Sequence, residues 1–192
     1  MRLALYGGTF DPVHHGHLIL ARDALEELQL DRVIFIPAGL SPHKLATSPA
    51  PAALRREMLA AAIADEPGFT LDDSELAATG PSFTIDTVER VRATHPEAQI
   101  YYLIGADNLR ELHTWRRIED LRRLVEFVVF GRGEATERPT EPFRTLSRRI
   151  DISATEVRQR VARGDSIRYL VPEPVRSLIT AHHLYQDPPH QI

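Results

Sequence analysis

Residues 7–17 read Gly-Gly-Thr-Phe-Asp-Pro-Val-His-His-Gly-His. An apolar run, Leu3-Ala4-Leu5-Tyr6, precedes them and an amphipathic run follows. That context predicts strand, glycine turn, helix. Gly7 and Gly8 let the backbone at residues 7–9 approach a ligand with no side chain in the way. The free N–H groups and dipole at the start of the next helix favour an anion. His14 and His17 can each place a ring N–H on a phosphate oxygen. The chemistry this predicts is phosphate binding with donors aimed at a charged transition state. Metal ligation by the two histidines is the rival reading. Asp11 is the only carboxylate nearby, no third ligand stands out, and no His-Glu-x-x-His pattern occurs. His15 reads as a solvated loop residue and is assigned no role.

Five further segments could serve such a site. Ile152-Ser153-Ala154-Thr155-Glu156-Val157-Arg158 opens a predicted helix, where Ser153 is a natural N-cap. Thr155 and Arg158 lie three apart on one helical face, and hydroxyls with a guanidinium at a helix start make a second anion site. The plain alternative is that Ser153 only caps and Arg158 is solvated. Lys44, in Pro42-His43-Lys44, can swing onto a polyphosphate as a point charge or simply face water. Asp107, after Gly105, either accepts from ribose hydroxyls or caps the next helix. Trp115, the sole tryptophan, lies beside Arg116 and Arg117. It is either core or a partly exposed ring able to stack on a heterocycle. Pro81-Ser82-Phe83-Thr84 precedes a helix and could be only a capping turn.

The elements that must position these residues alternate between strand and helix. Strands are predicted at 2–6, 33–36, 69–71, 100–104 and 125–130, with a last one at 146–150. Helices are predicted at 17–28, 52–64, 84–94, 106–123, 153–163 and 173–182. Residues 37–51 read as a long functional loop, 133–143 as a polar surface loop, and 187 onward as a frayed end. The pattern predicts an α/β fold: a Rossmann-like, doubly wound, mainly parallel sheet with helices on both faces. One domain over 1–192 is expected, with a helical C-terminal part at about 151–185. Ligands in such sheets bind at the carboxyl ends of strands, near the switch in strand order. The glycine turn and Ile104-Gly105-Ala106-Asp107 both fall at such ends.

Composition narrows the function class. The 192 residues are 43% hydrophobic and 26% charged, which is ordinary globular usage. Net charge is −4, which argues against nucleic acid as a partner. No apolar run reaches the roughly 20 residues of a membrane helix, so no membrane partner is expected. The chain enters its first strand at once with no secretory pattern, and it has no cysteine. A cytoplasmic location is therefore the expectation.

Together, His14-x-x-His17 and Ile152-Ser153-x-Thr155-x-x-Arg158 resemble the signature of a nucleotidyltransferase superfamily. Within it the chain resembles the bacterial nicotinate-nucleotide adenylyltransferases. That likeness rests on Gly-Gly-Thr-Phe-Asp-Pro at 7–12, Phe-Ile-Pro at 35–37 with Pro42-His43-Lys44, Pro81-Ser82-Phe83-Thr84 with Asp86-Thr87, and Ile104-Gly105-Ala106-Asp107 with Trp115. It spans residues 7 to about 184. Ala154 stands where many members carry Ser.

The resemblance implies adenylyl transfer from ATP to nicotinate mononucleotide in NAD biosynthesis. It implies that His14 and His17 stabilise the transferring phosphorus. It further implies that Lys44, Ser153, Thr155 and Arg158 hold the triphosphate, that Gly7, Gly8 and Thr9 lie along the nucleotide, and that Asp107 binds ribose. Thr84 and Trp115 would receive the nicotinate ring. Mg²⁺ would ride on the ATP phosphates and water, with no protein metal ligand named. Rival readings are nicotinamide mononucleotide or dual specificity, phosphopantetheine as acceptor, and a nucleotide-binding regulator without turnover. A homo-oligomer remains open.

Overall fold

A computed structural model of the chain describes residues 1–39, 49–78, 80–131 and 143–186, the side chain of Asp107 excepted. Six strands form one parallel sheet: β1 (Arg2–Gly8), β2 (Arg32–Pro37), β3 (Phe69–Leu71), β4 (Gln99–Gly105), β5 (Glu126–Gly131) and β6 (Arg144–Ser147). Their order is β3-β2-β1-β4-β5-β6. Leu3 pairs with Arg32 on one side and Ile100 on the other, so β1 is hydrogen-bonded along both edges.

Strand periodicity divides the core into two layers. Ala4 and Tyr6 of β1, Tyr101 and Leu103 of β4, and Val128 and Phe130 of β5 point to one face. Leu3 and Leu5, Tyr102 and Ile104, and Phe127 and Val129 point to the other. The first face is covered by α1 (His15–Glu27), α2 (Ala52–Ile63), α7 (Ala154–Ala162) and α8 (Glu173–Ala181). They bury Ala21 and Ala24, Met58 and Leu59, Val157, and Val175 with Ile179. The second face is covered by α4 (Thr84–Thr94) and α6 (Ile118–Leu124), through Ile85, Val88, Val91 and Leu121. Burial on both faces is why the strands read as continuous apolar runs.

Three differences from the sequence reading have physical causes. The helix expected over 106–123 is broken into α5 (Ala106–Leu109), a 3-10 turn at Leu112–Thr114, and α6. Arg117 caps α6 with a left-handed backbone at φ 54, which a continuous helix does not allow. A short helix, α3 (Ser74–Ala77), appears after β3, too brief to show a helical period. The last strand runs Arg144–Ser147 rather than 146–150, because its register follows Val128–Gly131 of β5. Most of the predicted loops at 37–51 and 133–143, with Lys44 in the first, lie outside the described residues, as does the end from 187. Among the described residues no helix is long and apolar enough to cross a membrane.

Candidate active site

The turn after β1 runs through Phe10, whose backbone is left-handed at φ 47, and a cis Asp11–Pro12 peptide. The Phe10 ring folds back into the first core layer, 2% exposed, against Tyr6 and Phe35. This brings the start of α1 over the carboxyl end of β1. His14 is the N-cap of α1, with extended backbone. Its backbone N–H donates to His17 Nδ1 at 3.2 Å. A neutral His17 therefore carries its ring proton on Nε2. The two imidazoles stack with centroids 3.7 Å apart and planes 27° apart.

Gly16 makes that stack possible. A Cβ at residue 16 would stand 2.9 Å from His14 Nδ1, 3.0 Å from its Cε1 and 3.3 Å from Ile150 Cγ2. His14 Nδ1 is buried and has no hydrogen-bond partner among the described residues. An unsatisfied buried polar atom is uncommon and asks for a functional explanation. Burial, with the neighbouring His15 second, pushes His14 down to about 4. Burial, with His14 second, also holds His17 well below the ordinary histidine value. Both rings are thus neutral donors near pH 7, not cations.

His14, Gly16 and His17 line a cleft of about 380 Å³ with Ser153 and Ala154 at the start of α7 and Gly105 at the end of β4. The two histidines therefore meet the second predicted anion site at Ser153, although 136 residues of sequence separate His17 from Ser153, while Thr155 and Arg158 do not line this cleft. Ser153 caps α7: its Oγ accepts the Glu156 N–H at 3.1 Å. Ser153 is thus the N-cap, and that bond leaves its hydroxyl proton as a donor. Arg158 donates to Thr155 Oγ1 at 3.3 Å and to the Asp11 carbonyl at 2.7 Å, so its guanidinium reaches back to the glycine turn. Among the described residues, the chain neighbours of Gly105 aside, no heavy atom lies within 4 Å of where its Cβ would stand, so they leave the cleft open above it. Asp107 follows in α5, its side chain outside the description.

Thr84 and Trp115 come together on the opposite face of the sheet, around Tyr102. The Thr84 side chain hydrogen-bonds to the Tyr102 hydroxyl, while burial pushes that hydroxyl up to about 12. Trp115 is half-buried and meets Tyr102 edge-on, centroids 5.7 Å apart at 85°. A Cβ on Gly7 would lie 2.5 Å from the Tyr102 hydroxyl, and one on Gly8 would lie 3.0 Å from Phe10. A side chain at residue 7 would thus displace the buried Tyr102 hydroxyl, while one at residue 8 would press on the Phe10 ring. Gly7, Gly8 and Thr9 do not line the histidine cleft. Thr9 instead offers its carbonyl to Arg55 at 2.8 Å. No side chain caps α4, whose first residue is Thr84.

Sequence reasoning missed Tyr102, Arg148 and Arg55. Tyr102 reads as one more apolar strand residue. Arg148 lines the cleft and is held by Asp23, with one bond at 2.9 Å. Arg55 sits in an alanine-rich helix yet is 2% exposed, and only its charge in an apolar stretch signals it. Among the described residues no three His, Asp or Glu side chains gather as a metal-ligand group.

Comparison with known proteins gives the family. A cytidylyltransferase-like family model matches residues 5–160. A relative from Exiguobacterium sibiricum, named a probable nicotinate-nucleotide adenylyltransferase, is 45% identical over 188 residues, covering 96% of this chain and 99% of its own. This chain belongs to the nicotinate-nucleotide adenylyltransferase family. A Thermus thermophilus relative of the same name is 40% identical over 188 residues, covering 97% and 100% of the two chains. A solved structure of Plasmodium falciparum nicotinic acid mononucleotide adenylyltransferase complexed with NaAD shares the fold, with a TM-score of 0.77 at 18% identity over 96% of this chain and 97% of that one. Within this family's fold, the histidine cleft and the Thr84–Tyr102–Trp115 cluster occupy opposite faces of one sheet edge.

The histidine geometry makes a prediction about protons. The unfolded rings titrate near 6.5, whereas folded His14 resists protonation until about 4. As pH falls through that window the unfolded chain takes up protons that the folded one refuses, so stability is full above it and declines within it. Imidazole ¹⁵N spectra in that window are expected to show both rings neutral, with the proton of His17 on Nε2. A charged His17 there overturns this assignment.

Proposed function

We propose that this member of the family transfers the adenylyl group of ATP to nicotinate mononucleotide, releasing pyrophosphate and forming nicotinate adenine dinucleotide. The observation that supports it most is the meeting of the two histidines and the α7 N-terminus in one cleft. A phosphate oxygen of the mononucleotide attacks the α-phosphorus of ATP, and the bond from that phosphorus to the β-bridging oxygen breaks. The attacking oxygen is already an anion, so no general base is needed and catalysis is positioning and charge stabilisation.

His14 and His17 are assigned as neutral N–H donors to the oxygens of the transferring phosphoryl group. A neutral donor's hydrogen bond gains strength as charge builds on its acceptor. Ser153, Thr155 and Arg158 are assigned to the triphosphate and the departing pyrophosphate, as is Lys44, which lies outside the described residues. Gly7, Gly8 and Thr9 are assigned along the nucleotide backbone, and Asp107 to the ribose. Thr84 and Trp115 are assigned to the nicotinate ring: the uncapped start of α4 favours a carboxylate, and the indole offers a stacking face. Mg²⁺ is expected on the ATP phosphates and water, a mode suited to an ion that keeps much of its hydration.

Pyrophosphate release is measured with ATP, Mg²⁺ and three acceptors in parallel: nicotinate mononucleotide, nicotinamide mononucleotide and phosphopantetheine. Strong preference for the nicotinate form is expected, and release only with phosphopantetheine refutes the reading. His17→Ala is expected to lower kcat by about two to three orders of magnitude, the scale of a lost transition-state donor. Unchanged turnover removes His17 from the chemistry.

Gly105→Val tests the cleft itself. The backbone at Gly105, φ −73 and ψ 151, suits any residue, and a Cβ there meets nothing. The fold is expected to tolerate it while ATP affinity drops about tenfold, or about 1.4 kcal/mol. An unaltered ATP affinity by calorimetry moves the nucleotide out of this cleft.

A further inference from the structure

Asp11 lies within the glycine turn, and the reaction as assigned gives its carboxylate nothing to do. That residue is only 8% exposed. Its Oδ1 accepts the Tyr185 hydroxyl at 2.7 Å and the Ala50 N–H at 3.1 Å. Its Oδ2 stands 4.0 Å from the Arg158 guanidinium, whose same nitrogen donates to the Asp11 main-chain carbonyl at 2.7 Å. A buried carboxylate is tolerated only with such donors and a cation at hand. Arg55 braces the same turn from below, donating to the carbonyls of Thr9, Ala38 and Ala50 at 2.8, 2.9 and 3.1 Å.

Tyr185 comes from the segment after α8, 174 residues further along the chain. Tyr185 and His183 both have left-handed backbones, φ 60 and 49. A tyrosine holds that conformation only where its surroundings impose it. Burial, followed by the bond to Asp11, pushes the Tyr185 hydroxyl far up, so it remains a donor.

We propose that Asp11 and Tyr185 are a positioning pair that holds the Arg158 guanidinium ready for the ATP triphosphate. The pair thereby makes the segment after α8 a determinant of ATP affinity. The proposal rests on the assignment of Arg158 to the triphosphate. An arginine side chain left free loses much rotamer freedom when it binds a phosphate, and holding it beforehand removes that loss from the binding step. Two of its nitrogens are engaged, on Asp11 and Thr155, and a guanidinium has five N–H donors, so donors remain for an anion.

The test is a double-mutant cycle in the full chain, with the Mg²⁺–ATP dissociation constant read by calorimetry without acceptor, alongside kcat and both KM values. Tyr185→Phe keeps the ring and removes one hydroxyl. It is expected to weaken ATP binding about three- to tenfold, the scale of one lost hydrogen bond to a charged group. It should change kcat and the acceptor KM much less. In an Arg158→Ala background the same change is expected to have no further effect on ATP. Asp11→Asn, which keeps the shape and drops the charge, is expected to follow the same pattern and serves if Tyr185→Phe fails to fold. Loss of thermal stability with ATP affinity unchanged, or additive effects in the cycle, overturns the pair. If Arg158→Ala alone leaves ATP affinity intact, the triphosphate assignment fails, and the pair's role with it.

Discussion

β1 is paired on both edges by parallel neighbours, β2 and β4, and the chain leaves its carboxyl end toward one face only. Strand order reverses across β1 and β4, so the connections diverge and leave a crevice that no crossover fills. Everything proposed here for chemistry hangs on that edge. The glycine turn leaves from β1 and Gly105 ends β4, and α7 and α4 bring their N-termini to the same edge from opposite faces. Sheet and helix packing therefore do the positioning, and the site residues need only short reaches.

At the histidine cleft, electrostatics follow from packing. A glycine at 16 allows the rings of His14 and His17 to lie 3.7 Å apart, and rings that close cannot both carry charge in a buried place. The result is a pair of neutral donors. Fixed cations would bind the resting triphosphate and the transition state alike. Neutral donors whose bonds strengthen as charge develops favour the transition state selectively. The permanent positive charge is carried by Arg148, which lines the cleft, and by Arg158 at the glycine turn, each restrained by an acidic residue, Asp23 and Asp11.

The sheet itself separates the histidine cleft from the Thr84–Trp115 cluster. Tyr6 and Tyr102 lie on adjacent strands yet point to opposite faces, one toward the histidines and the other toward Thr84 and Trp115. Gly7 belongs to this arrangement in a way its flexibility does not suggest: it is small so that the Tyr102 hydroxyl can lie against β1.

Much of this was legible in the order of residues. Continuous apolar strands alternating with amphipathic helices set the α/β class, because burial on both faces leaves no polar period in a strand. The His14–His17 and Ser153–Arg158 spacings marked two anion sites, because donors at helix starts do the same chemistry wherever they occur. Tertiary structure decided that the histidines and the start of α7 share one cleft, and that Thr84 and Trp115 share a tyrosine. It also broke the segment 106–123 at Arg117 and recruited Asp11, Arg55 and Tyr185 into a single network. Local rules see a few residues on either side of a position. They carry no term for a hydroxyl arriving from 174 residues away, or for adjacent strands that turn one tyrosine toward His17 and the other toward Trp115.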